Sequence, residues 1–334
     1  MNRILRAFIF IGIIFAVSSV TFGQDDAQTY LNRGFSLYQQ GQFPKALVAF
    51  EEGVKRSPAR EDAYRLIGLC QIKMNDYDKA IVALKKAVEL SDQNHQPDEA
   101  ANFALGIAYF NKGQYADALP LIEAAAKANE TAENYYYLGA VHLKLNNKDA
   151  ALRALDKSAK LSPNSAGTLE LTTQLYLQKA RDNNDAASYA EAIKSAQQLK
   201  AVRDDANTAL LLGQAYLGNK QYKEAAGELK KASDANPTNG SILFAYGQVL
   251  AANEQWGPAQ AALEKAAQLM PTDPGVFNFL GYSYEAEGAR IQDEKARGAK
   301  FTQALQAYMK ADELSKGSYP GIKASIDRVK PFAK

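Results

Sequence analysis

LGQAYLGNKQYKEAAGELKKASDANP, residues 212–237, is the stretch that decides the fold. Gly213 is followed nine residues later by Tyr222, then by Ala225, Leu229 and Ala232, and Pro237 closes the phrase. The phrase recurs. Its glycine returns at Gly34, Gly68, Gly106, Gly139, Gly247 and Gly281, and Thr172-Thr173 fills the one missing place. The steps from Gly34 to Gly68, from Gly213 to Gly247 and from Gly247 to Gly281 are each 34 residues. Repetition at a fixed period of that length marks a stacked array of helical hairpins rather than a single packed core.

The other positions follow the glycine. The aromatic and alanine pair returns as Phe43/Ala46, Tyr77/Ala80, Tyr115/Ala118 and Trp256/Ala259. Large apolar residues come at Phe50, Leu84, Ile122, Leu155 and Leu263, and small ones at Gly53, Ala87, Ala125, Ser158 and Ala266. Pro58, Pro163 and Pro271 close further units, where proline fits because it cannot continue a helix. Glycine and alanine at facing positions let two antiparallel helices approach, and the aromatic opens the second helix of each pair.

This pattern resembles the tetratricopeptide repeat (TPR) over roughly residues 27–315. The resemblance implies an all-α, right-handed superhelical α-solenoid of about eight helical hairpins. We expect repeats at 27–60, 61–97, 99–131, 132–165, 166–205, 206–239, 240–273 and 274–315 within a solenoid spanning 24–315. Residues 316–334, with Ile322, Ile326 and Val329 at near-helical spacing, read as a capping helix over the last hairpin. Two repeats depart from the pattern. Asp182-Asn183-Asn184-Asp185 reads as a lengthened turn before Tyr189/Ala192, and the charged stretch Glu287 to Lys300 reads as an extension of both helices of the last hairpin.

The first 23 residues have a different character. Arg3 and Arg6 precede the apolar run Ala7 to Val17, and small residues lead to Gln24. That is the build of a secretory signal peptide, with an uncleaved anchor as the alternative. It implies an exported bacterial protein, extracytoplasmic and most readily periplasmic. Removing it takes two of the 39 basic residues and leaves a chain balanced against 37 acidic ones. A neutral chain lacks the basic stripe that nucleic-acid binding requires. Cys70 is the single cysteine, so no internal disulfide forms, and its apolar setting reads as a buried thiol.

Catalytic and metal-binding patterns are missing from the sequence. The two histidines, His95 and His142, have no ligand-spaced partners, and His142 falls where other repeats carry Tyr109, Tyr216 or Tyr284, a packing position. Phosphate loop, nucleophile elbow and dinucleotide fingerprint are absent, and the glycines are spread one per hairpin. Glu51-Glu52 and Asp204-Asp205 lie on different helix faces, and Lys85-Lys86 and Lys230-Lys231 read as solvated surface. The expectation is a non-enzymatic chain with no metal and no cofactor.

The resemblance places partner binding on a concave groove lined by the first helices, three residues before, one after and four after each glycine. Helical geometry puts these positions on one stripe. The stripe holds Leu31, Phe35 and Tyr38, then Arg65 and Leu69, then Phe103, Ile107 and Phe110, then Tyr136. It continues through Gln174, Gln214, Phe244, Gln248, Asn278 and Tyr282. Its first half is apolar and aromatic. Its second half carries three glutamines at one repeat position, which would suit capture of an extended backbone; ordinary helix surface is the plainer reading. Leu31 and Phe35 stand where relatives that clamp acidic tails carry Lys and Asn, which disfavours such a clamp. The function expected is a scaffold or adaptor that binds a peptide or helix of a partner protein, in cell-envelope assembly or secretion. A polysaccharide-associated or enzyme-helper module is the alternative.

Overall fold

The computed structural model describes residues 26–333, so the candidate signal segment lies outside the described residues. Among the described residues the chain is helical throughout, with seventeen α-helices and one short 3-10 turn. Contacts divide it into two compact units, ending at Ala108 and beginning at Tyr109. The first unit contains α1 (Ala27–Gln39), α2 (Phe43–Arg56), α3 (Glu61–Lys73), α4 (Tyr77–Gln93) and most of α5 (Glu99–Lys112). The second contains α6 (Tyr115–Ala128), α7 (Ala132–Lys144), α8 (Lys148–Leu161), α9 (Ala166–Asn183) and α10 (Ala186–Val202). It continues with α11 (Ala206–Gly218), α12 (Tyr222–Ala235), α13 (Gly240–Ala252), α14 (Trp256–Leu269), α15 (Pro274–Gly288), α16 (Glu294–Ser315) and α17 (Ile322–Val329).

The repeated glycine is where the two helices of a hairpin touch. A Cβ on Gly34 would lie 2.5 Å from Phe50, on Gly68 2.4 Å from Leu84, and on Gly247 2.6 Å from Leu263. Each of these large partners is fully buried. Six of the first helices start on polar caps. Asp26, Thr131, Ser165, Asp205, Asn239 and Asp273 accept backbone N–H bonds in their first turns. The Thr208 N–H so bonded holds the Asp205 carboxyl below its ordinary value. Between the helices of a hairpin one residue turns left-handed: Gly41, Asn75, Gly113, Asn146, Lys220 and Glu254 all have φ between 60° and 84°.

Repeat five closes in another way. The structure corrects the expected long turn: the extra residues extend α9 to Asn183 and start α10 at Ala186, with Asn184 left-handed between them. Helical turns satisfy their own backbone groups, so added residues continue the helices rather than open a loop. Thr173, in the glycine's place, donates to the Leu169 carbonyl at 2.8 Å and bonds the Ser195 hydroxyl at 2.9 Å, all buried. In the last hairpin α15 runs to Gly288 and α16 begins at Glu294, so the charged stretch lengthens both helices around a short turn.

The carboxy-terminal end is covered. Ile322 and Val329 of α17 are buried with Phe301, Tyr308 and Ala311 of α16. Arg328 of α17 donates twice to Glu285 of α15, at 2.5 and 3.0 Å, and Tyr308 donates to the same carboxylate at 2.7 Å. Cys70 is buried, and desolvation pushes its thiol up to about 12, which makes it unreactive.

Candidate binding strip on the first helices

Each stripe residue is placed by its distance from the glycine that sits against the second helix. In the first unit Phe35, one residue past Gly34, is 49% exposed and is the most open large apolar side chain of the strip. Leu69, Phe103 and Ile107 are half-buried. Tyr38 turns its ring edge to Phe43 at 5.2 Å, and burial raises its hydroxyl pKa. Arg65 is tied to Asp98 at 3.2 Å.

Leu31 is a correction. It is 4% exposed and belongs to the core with Ala46, Phe50 and Ile67. The reason lies opposite it. Gly53 stands where other repeats have alanine or serine, and a Cβ there would come within 3.0 Å of the Leu31 side chain. The missing methyl leaves a hole that Leu31 fills.

In the second unit Phe110, Tyr115, Tyr137 and Tyr136 form a chain of rings. Phe110 meets Tyr115 at 5.6 Å and Tyr137 at 6.0 Å, and Tyr137 meets Tyr136 at 5.4 Å. Burial raises the pKa of both tyrosines, so they stay neutral hydrogen-bonding groups on an apolar surface. Tyr137 was not on the expected stripe; the adjacent pair of aromatic residues was its only signal. Further along, Phe244 meets Phe279 edge-on at 5.6 Å, and Tyr282, 47% exposed, meets Trp256 at 6.2 Å. Asn278, next to Phe279 in sequence, is half-buried.

The three glutamines do not form three equivalent free amides. Gln174 is exposed and Gln248 half-buried, but the Gln214 carbonyl already accepts from Arg181 at 3.1 Å. Arg181 lies on the extra turn of α9. That turn is anchored elsewhere too: Lys148 bonds Asp182, and Lys179 lies 3.5 Å from Asp149. Lys148 occupies the place of the usual aromatic, so the departure in repeat four answers the one in repeat five. Glu170 is likewise engaged, by Arg203 at 2.7 Å and Asn207 at 2.8 Å. Position three before the glycine therefore links neighbouring hairpins when it is charged, and offers rings when it is aromatic.

His142 is a packed residue, with its Nε2 3.7 Å from Glu123; burial lowers its pKa against the pull of that carboxylate. Among the described residues no group of His, Cys, Asp or Glu is arranged to hold a metal, and no helix is long and apolar enough to cross a membrane.

Stacked helical hairpins with ring-lined first helices define a helical-repeat binding protein. The chain is a tetratricopeptide-repeat protein: models of that repeat match residues 37–102 and 103–166, and the model of anaphase-promoting complex, cyclosome, subunit 3 matches residues 181–266. Among curated proteins it is similar to the Homo sapiens PEX5-related protein, 27% identical over 152 residues, 46% of this chain and 22% of the relative. It is also similar to the Drosophila melanogaster BBSome complex member BBS4 homolog, 28% identical over 135 residues, 40% of this chain and 27% of that protein. The chain thus spans about a quarter of the length of the curated relatives it matches. The crystal structure of the APC/C hetero-tetramer Cut9-Hcn1 shares the fold at a TM-score of 0.57 and 19% identity, over 76% of this chain and 48% of that one. Tetratricopeptide arrays are non-enzymatic protein–protein interaction modules, and this chain is one of them.

Proposed function

We propose that the chain is an exported adaptor that holds a partner's peptide or helix against its first helices, in cell-envelope assembly or secretion. The observations that carry the reading are, in the first unit, the exposure of Phe35 and, separately in the second, the run of rings at Phe110, Tyr137 and Tyr136. Exposed apolar surface of that kind is characteristically covered by another protein. Gln174, Gln248 and Asn278 add neutral amides, so the strip suits an apolar or neutral ligand better than a charged tail. Support for the envelope setting comes from Arg3, Arg6 and the apolar run Ala7 to Val17.

One experiment addresses both parts. The full chain is produced with a carboxy-terminal tag, and its complexes are cross-linked, isolated from envelope fractions and identified by mass spectrometry. A protein beginning at Gln24 and holding a defined partner is the expected result. Phe35→Ser with Phe110→Ser should lower partner recovery at least about tenfold, the loss of roughly 1.4 kcal/mol or more of contact. Recovery unchanged by the pair would remove the strip as the site. A chain retained in the cytosol would remove the envelope setting.

A further inference from the structure

On the other side of the hairpins, successive second helices flank a slot floored by the first helix between them. The space left in that slot differs between repeats, as does the side chain three residues after the repeat glycine. Where Tyr176 stands there, between α8 and α10, the remaining space is about 200 Å³. Where Leu250 stands there, between α12 and α14, it is about 490 Å³. Between α2 and α4 the residue is Gln71, and the space is about 870 Å³. That is within the roughly 300–1,000 Å³ range of sites that hold a ligand.

The floor and walls are apolar: Val54, Tyr64, Ile67, Val82 and Ala83. Val82 is 70% exposed and adds apolar surface to the wall of the slot. One polar group interrupts this surface. Gln71 is 6% exposed, and its Oε1 has no hydrogen-bond partner. An unpaired buried carbonyl is costly, so the amide is a group awaiting a donor. Gln71 itself lines the slot, and its terminal torsion is soft. The rim is self-neutralised. It carries three carboxylates (Glu51, Asp78 and Glu89) against three lysines (Lys79, Lys85 and Lys86); Lys86 is bonded to Glu89 at 3.0 Å, and Lys79 to Asp76, outside the rim, at 2.6 Å.

We propose that this slot is a second docking site, separate from the first-helix strip, for an uncharged apolar peptide segment of a partner protein bound in extended form. The balanced rim complements a neutral ligand and offers nothing net to a charged one. Apolar side chains cover Val54, Ile67 and Val82. An extended backbone has a free N–H for Gln71 Oε1, whereas a helix spends its N–H groups internally.

The test pans a display library of uncharged ten-residue peptides on the full chain, counter-selected on Gln71→Tyr protein. Enriched sequences are then synthesised with a fluorophore and titrated by anisotropy. Tyrosine stands at this position in four other repeats (Tyr109, Tyr176, Tyr216 and Tyr284), so it should fill the slot with the melting temperature kept. Binding should weaken at least about tenfold with Gln71→Tyr, with Val82→Asp, and with N-methylation of one peptide nitrogen, while Phe35→Ser leaves it unchanged. If Gln71→Tyr fails to fold, the exposed Val82→Asp change carries the test. The proposal is overturned if no sequence is enriched, if binding survives Val82→Asp, or if Phe35→Ser alone abolishes it. It is equally overturned if sedimentation shows a dimer that Val82→Asp dissolves, since the occupant would then be a second copy of the chain. The first-helix strip can fail its own test without touching this one.

Discussion

The hairpin of α13 and α14 and the hairpin of α9 and α10 close the same kind of interface with opposite distributions of volume. In the first, Gly247 gives up its side chain and Leu263 fills the gap. In the second, Thr173 supplies the bulk and bonds Ser195 at 2.9 Å, and the fully buried Ala196 holds the sequence place of the large residue. Ala196 follows Tyr189 by the same seven residues that separate Leu263 from Trp256. The lesson is that the repeat constrains a pair. What is fixed is the summed volume between two helices, together with satisfaction of every buried polar group; glycine is one solution to that constraint.

The largest effect comes from breaking the pair on its glycine side. Gly247→Val should destabilise the chain by about 3 kcal/mol in urea unfolding, because its Cβ would lie 2.6 Å from Leu263 and 3.4 Å from the Ala259 carbonyl. Leu263→Ala in the same chain should recover part of the loss. The double variant is expected to be more stable than the sum of the singles by at least about 1 kcal/mol. Strict additivity would mean that the two residues do not share one volume.

A smaller effect tests the other hairpin. If glycine itself were what the position wanted, Thr173→Gly would stabilise the array. The pair view requires the opposite. It removes two buried hydrogen bonds, leaves a void beside Ala196 and places glycine inside a helix, so about 2 kcal/mol should be lost. A rise in the urea midpoint would contradict the pair view outright.

The fold could be read from the chain because volume leaves a trace in residue identity: small, aromatic and large residues recur in a fixed order. Turn geometry leaves less. Gly41 and Asn75 announce a left-handed turn, but Lys220 and Glu254 take the same conformation without any compositional sign. The strip was partly legible. Phe35 and Tyr282 are exposed where helical spacing placed them, whereas Leu31 was drawn inward by the hole at Gly53, a contact between helices that no single-helix stripe contains. Arg181 on Gln214 and Arg328 on Glu285 join residues 33 and 43 positions apart, and neither pairing follows from local periodicity. Gln71 gives no sign of itself in the sequence for the same reason. An amide in a helix is unremarkable until its neighbours show that nothing bonds its oxygen.

The smallest effect returns to the turns, where the hairpins differ in a way the interface does not explain. Lys220 has φ 60° between α11 and α12, and its own N–H bonds Leu217 at 3.0 Å while that of Gln221 bonds Tyr216 at 2.9 Å. Gly41 and Gly113 make the corresponding turns with φ 73° and 84°. A side chain in this region costs about 1–2 kcal/mol relative to the right-handed one, and glycine returns part of that gain through the freedom it adds to the unfolded chain. Lys220→Gly should therefore raise stability by about 0.5 kcal/mol. Glu254→Gly relieves the same strain at φ 60° but removes the 2.8 Å pair with Arg290, which also lies over the Trp256 ring. Its net change should be smaller than that of Lys220→Gly, since loss of the exposed ion pair offsets part of the relief. Equal gains for the two variants in parallel urea titrations would mean that the Glu254–Arg290 pair contributes nothing. A loss for Lys220→Gly would mean that chain entropy outweighs backbone strain in this turn.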